Sequence, residues 1–137
     1  MYEYNCKIVK VVDGDTVDVD IDLGFGIWIK KERVRLYGID APESRTSDKE
    51  EKKYGLASKN FVLEMMPIES SQVLKTMKDG VGKYGRVLGD FILSSCNNQS
   101  LNEMMVEKHH AVKYYGQSKE DIQEQHLKNR KMIDGNK

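Results

Sequence analysis

The chain has 137 residues, which fits one domain with one core, and its 22 Lys and Arg offset 22 Asp and Glu to a formal net charge of zero. Neutrality argues against a protein that coats nucleic acid by bulk electrostatics, so a site for a polyanion has to be local. With 32% charged and 39% apolar residues and two prolines, the composition is that of a folded globule, neither disordered nor collagen-like.

No apolar run is long enough to span a bilayer, and no membrane association is expected. Lys7 and Lys10 interrupt the only apolar stretch near the start, so no signal peptide is visible; the expectation is a cytoplasmic chain or a trimmed secreted one. Cys6 and Cys96 lack the spacing of a zinc site or a disulfide framework. The charges are unevenly spread: residues 13 to 22 sum to −5, and residues 23 to 37 and 75 to 89 each sum to +3. A metal beside a phosphate would need both signs close together.

In chain order, Cys6 to Val12 is an apolar β-branched run ending at Asp13-Gly14, which by itself reads as a type I′ hairpin turn. Thr16 to Leu23 then alternates, with Val17, Val19, Ile21 and Leu23 on a core face and Asp18, Asp20 and Asp22 towards water. After the turn Gly24-Phe25-Gly26, Ile27 to Ile29 and Arg33 to Tyr37 predict a third strand, stopped by Ala41-Pro42. Ser44 to Lys53 is charged and aperiodic and reads as a surface loop. Leu56, Phe61, Val62, Met65 and Met66 recur at helical spacing and end at Pro67. Ser71 to Met77 and Arg86 to Leu93 are two more strands, Leu101, Met104 and Met105 a short helical stripe, and Ser118 with Asp121 a capping box opening a last helix. The expected fold is α+β, mainly β: a five-stranded OB-type Greek-key barrel with about three helices, formed by residues 1–137 as one domain.

Three segments carry candidate chemistry. In Asp13-Gly14-Asp15-Thr16, neither starting point gives the ligand spacing of an EF-hand, so partners for Asp15 would have to come from elsewhere. Arg35-Leu36-Tyr37-Gly38-Ile39-Asp40-Ala41-Pro42-Glu43 runs a strand out into two carboxylates three residues apart. Lys83-Tyr84-Gly85-Arg86 places two bases and an aromatic around a glycine, as phosphate and base contacts require.

These segments, in this order, resemble the staphylococcal nuclease (thermonuclease) family. The likeness runs from about Lys7 to about Lys128 and includes Lys53-Tyr54-Gly55, Asn102-Glu103 and Glu124-Gln125-His126-Leu127. It implies an OB-type barrel with three helices and a calcium-dependent phosphodiesterase that cleaves DNA and RNA to 3′-phosphates and 5′-hydroxyls, with single-stranded or frayed regions favoured and a monomer as the working unit. Carried onto this chain, it makes Asp15, Asp40 and the backbone carbonyl of Ala41 calcium ligands. Glu43 becomes the residue that deprotonates or orients water, and Arg35 and Arg86 the guanidinium pair on the scissile phosphate. Lys83, Tyr84 and Tyr115 match substrate-binding positions, and Asp13 and Thr16 groups around Asp15. His109, His110 and His126 have no nucleophile or metal spacing and are expected to have no chemical role.

The sequence also departs from the family pattern. Gly24-Phe25-Gly26-Ile27-Trp28 lengthens the hairpin after Asp15, and Trp28 is expected to cover the core rather than to offer a stacking surface. Ala41 stands where an alanine or threonine is found. Gln117 occupies the place of a second tyrosine of the nucleotide pocket, and the last helix, shorter than the prototype's, is expected to pack through Met132 and Ile133. The competing reading is a catalytically weak nuclease-like OB module that binds nucleic acid or protein; the presence of Asp15, Arg35, Asp40, Glu43 and Arg86 favours the enzyme.

Overall fold

A computed structural model of the chain describes residues 2–81, 87–93 and 96–135. Five long strands make the body: β1 (Glu3–Asp13), β2 (Thr16–Asp22), β3 (Trp28–Leu36), β5 (Ser71–Val81) and β6 (Val87–Leu93). Short strands β4 (Ile39–Asp40), β7 (Gln99–Ser100) and β8 (Val112–Lys113) and helices α1 (Lys49–Met65), α2 (Leu101–Glu107) and α3 (Lys119–Gly135) complete it. Antiparallel pairing runs β3-β2-β1-β5-β6, and the sheet closes on itself where Val34–Leu36 of β3 pair in parallel with Val87–Gly89 of β6. This is the mainly-β, OB-type barrel that the strand pattern predicts, with its three helices.

The alternation in β2 works as read. Val17, Val19 and Ile21 enter the core with Ile8, Val34, Leu36, Leu74, Phe91 and Leu93, while Asp18, Asp20 and Asp22 stay at the surface. Val62 and Met66 of the α1 region and Leu101 and Met105 of α2 close the barrel's open end. Leu23, placed on the core face by its parity, is instead exposed, because the ribbon has left the barrel by that point.

Other expectations change. The segment read as a loop from Ser44 to Lys53 is helical from Lys49, because the Asp48 carboxylate caps α1 by accepting from Glu50 N and Glu51 N. Gly14 keeps an ordinary φ, so its turn is not type I′; the glycine is needed for room, since a Cβ there would sit 2.7 Å from Ser58 Cβ and 3.1 Å from Ala41 Cβ. The two pieces read for the third strand are one strand with a bulge. Val19 faces Glu32 and Ile21 faces Ile29, so β3 carries one extra residue, with Lys31 at φ 55°. Trp28 does not cover the core, and Met132 is exposed on α3. No described helix is long and apolar enough to cross a membrane.

Candidate active site

The site forms where three strand ends meet. Asp15 follows the turn after β1, Arg35 lies on β3 directly across from Thr16, and Asp40 is on β4, which is held in place by β8. Main-chain bonds set the spacing: Leu36 N donates to Asp15 O at 2.8 Å and Tyr37 N to Gly89 O at 2.9 Å. A left-handed Gly38 (φ 77°) then turns the chain into β4.

The Asp15 carboxylate is almost fully enclosed. Thr16 Oγ1 donates to its Oδ1 at 3.0 Å, and Ala41 N donates to its Oδ2 at 3.1 Å. Arg35 bridges the two acids, with Nη1 3.5 Å from Asp15 Oδ2 and Nη2 3.5 Å from Asp40 Oδ1. Burial pushes the Asp15 carboxyl above the usual range and the nearby Asp40 charge adds to the push, while Arg35, the Ala41 amide and the Thr16 hydroxyl oppose it. Two carboxylates share one guanidinium here, and their donors are hard oxygens; both properties fit calcium. Among the described residues no group of three or more His, Cys, Asp or Glu side chains is gathered as for a metal, so a cation here would take two carboxylates and complete its shell with carbonyl oxygen and water.

Asp13 does not touch Asp15. Its Oδ1 accepts from Ser44 N at 3.2 Å and from Ser44 Oγ, which ties the loop carrying Glu43 to the end of β1. Glu43 is exposed and lines two openings. One is a cleft of about 430 Å³ shared with Asp40, Ala41 and His126; the other, about 410 Å³, is shared with Asp13 and Arg45. Tyr115 is also exposed, on the wall of a separate hollow of about 640 Å³ with Tyr37, Tyr114 and Asn102. Gln117 accepts from Tyr115 N at 2.8 Å through its side-chain oxygen and donates to Lys113 O at 2.6 Å, shaping that loop instead of supplying an aromatic face. Lys83, Tyr84 and Arg86 lie outside the described residues.

One residue given no role by sequence joins the site. His126, the only buried residue of α3, brings Nε2 to 2.8 Å from Asp40 Oδ2, on the side of that carboxylate away from Arg35. An ionised carboxylate can only accept, so Nε2 carries the hydrogen. Nδ1 is buried with no hydrogen-bond partner among the described residues.

The model of the staphylococcal nuclease homologue family matches residues 33–132, well over half of the chain. The chain belongs to this family. Among its relatives, Protein ParB of Escherichia coli is 37% identical over 87 residues, 64% of this chain and 41% of that protein. The thermonuclease of Staphylococcus intermedius is 33% identical over 59% of this chain and 44% of its own length. The staphylococcal-like nuclease CAN1 of Arabidopsis thaliana is 34% identical over 68% of this chain and 25% of its own. The chain thus spans less than half the length of these relatives. Within this fold, Arg35 stands between Asp15 and Asp40, and Glu43 follows on the loop after β4.

Proposed function

We propose that this chain is a calcium-dependent phosphodiesterase acting on DNA and RNA. The observation that carries the reading is the Asp15–Arg35–Asp40 arrangement: a guanidinium between a buried and a part-exposed carboxylate, the second of which lines a cleft together with Glu43. Asp15, Asp40 and the carbonyl of Ala41 would hold calcium, which supplies Lewis-acid charge to the phosphate when bound.

The rest is done by the chain's own groups. Arg35 offers a planar fork that pairs with phosphate oxygens and stabilises the charge they gain as the fifth oxygen adds. Glu43 accepts a proton from the attacking water, or orients it, from an exposed position that solvent reaches freely. Water's oxygen bonds to phosphorus, the bond from phosphorus to the 5′ oxygen breaks, and the leaving oxygen takes up a proton. The products are a 3′-phosphate and a 5′-hydroxyl. Lys83, Tyr84, Arg86 and Tyr115 complete the proposal as substrate and phosphate contacts, and frayed or single strands are favoured because they can enter the cleft without melting.

The test is digestion of single-stranded DNA by the protein with calcium, with chelator, and as Glu43→Gln with calcium. Cleavage only in the first, with end-group analysis giving 3′-phosphates, is the expected result. Equal cleavage in all three removes calcium and Glu43 from the chemistry, and binding without cleavage under every condition favours a binding module.

A further inference from the structure

The β2–β3 ribbon projects beyond the barrel and ends in side chains that the fold leaves bare. Leu23, Phe25, Ile27, Trp28 and Ile29 are all exposed, Phe25 completely (103%) and Trp28 by 40%. The turn is well defined: Leu23 N donates to Ile27 O at 2.8 Å, Ile27 N to Gly24 O at 3.0 Å and Gly24 N to Asp22 Oδ1 at 2.8 Å. Phe25 is held at φ 56° between Gly24 and Gly26, both at positive φ. A contiguous apolar tip of this kind marks a binding surface.

What binds there is limited by three features. First, Ile27, Trp28 and Ile29 are consecutive strand-like residues and are exposed together, so both faces of the ribbon are apolar. A flat protein face would cover only one of them. Second, the outer edge of β3 is unpaired before Val34 among the described residues, yet the bulge at Lys30 and Lys31 interrupts it, which blocks strand addition by a second copy. Third, β3 runs from the tip straight to Arg35. From the Thr16–Arg35 pair to the Asp22–Trp28 pair is six residues of β2, about 20 Å at the usual strand rise.

One outward row connects the two ends. Arg33 lies beside Arg35 on that face and grips Asp18 with two bonds (2.9 and 3.2 Å). Lys30 reaches Asp20 at 3.5 Å and places Nζ 5.3 Å from the centre of the Trp28 ring. Asp18 and Asp20 are thereby engaged within the hairpin, and between Leu23 and Lys31 the only charges are Lys30 and Lys31.

We propose that this tip is an exosite for nucleobases: Phe25 and Trp28 stack on bases of a strand whose scissile phosphate sits at Arg35. The inference rests on the proposed nuclease reading and adds to it a second point of contact with the same polymer. Stacking on an aromatic face tolerates every base, so the exosite adds affinity without sequence preference. Because the bases of β3 are largely offset by the acids of β2, the contribution of the tip depends little on salt, unlike phosphate contacts.

Trp28 is the only tryptophan, so its emission reports on the tip directly. In chelator, where no cleavage is expected, an oligothymidylate of about 12 nucleotides, long enough to span an extended binding track, should quench Trp28, and a dinucleotide should not. In calcium, Phe25→Ser combined with Trp28→Ser should lower kcat/KM for the long oligonucleotide by roughly five- to a hundredfold and leave the dinucleotide unchanged. Equal losses on both substrates would mean a structural effect and overturn the exosite, as would no loss on either. Quenching by the long strand from a protein that cuts nothing would leave the exosite standing while the hydrolytic reading fails. A blue shift of Trp28 with phosphatidylcholine–phosphatidylglycerol vesicles and no response to oligonucleotide would overturn it in favour of a lipid surface.

Discussion

Arg35 and His126 approach the same carboxylate from opposite sides, at 3.5 Å and 2.8 Å, and between them fix how Asp40 faces Asp15. Such outer partners of a metal-binding carboxylate typically contribute tenfold to a hundredfold in metal affinity. In the proposed calcium site, His126→Ala should therefore weaken binding of the cation by about tenfold or more, as measured by calorimetric titration without substrate. Unchanged affinity would reduce His126 to a packing residue. That Asp15 draws its partners from the Arg35–Glu43 segment was legible in the sequence, because a strand running out into Asp40, Pro42 and Glu43 is their natural source; Arg35 and the Ala41 amide do reach Asp15. His126 was not legible, because its partner lies 86 residues away and is met only when α3 docks. The same holds for Asp13, whose motif placed it near Asp15 but could not show that its carboxylate holds Ser44.

Helix α1 is more than a lid on the barrel. Gly55 lies against the loop after β4 so closely that a Cβ would stand 2.1 Å from Glu43 O and 2.6 Å from Ser44 N. In an exposed helix, Gly→Ala gains up to ~1 kcal/mol; here the added methyl meets main chain and the sign reverses. Gly55→Ala should destabilise by about 1–3 kcal/mol, read as a lower denaturation midpoint, and should lower cleavage further by displacing Glu43. A more stable variant would show that the loop yields freely. Neighbouring Tyr54 is buried, donates to Asp134 Oδ2 at 2.6 Å and carries Lys53 and Arg130 over its ring, joining α1 to α3. Sequence periodicity found the apolar half of α1 but missed its first turns, since Lys49 to Lys53 are charged on every side. The signal that was available is the cap: Asp48 followed three residues later by Glu51. The hairpin tip was misread for the opposite reason. Hydrophobic character placed Trp28 inwards, but a ribbon that outruns its barrel has no interior to offer.

At the scale of the molecule, the barrel depends on a closed circuit of strands, and Cys6 lies inside it on β1. Burial pushes its thiol up to about 12. At pH 8, well below that value, the native thiol stays protonated and shielded, whereas in the unfolded chain an ordinary thiol titrates near 8.5 and reacts. Cys6 should thus be labelled by a thiol reagent at pH 8 only through opening of the barrel, at a rate that rises with denaturant; fast labelling of the native protein at Cys6, located by peptide mapping, would contradict this. The five-strand circuit itself was readable from alternation and turn residues. Its closure into an OB-type barrel was also expected, but not the seam that makes it, because the parallel β3–β6 pairing joins residues some fifty positions apart and neither strand alone encodes the contact.

That seam also decides when the proposed centre can form. Arg35 sits in it, opposite Leu88, and Asp40 is framed by β8 and α3, so the centre is gathered from residues 15 to 126. A nascent chain emerging in order has its acids and arginine exposed early but lacks the elements that hold them in register until β6, β8 and α3 have been made. On the proposed nuclease reading, synthesis next to ribosomal RNA is then self-limiting, because the cutting centre cannot assemble before α3 has docked.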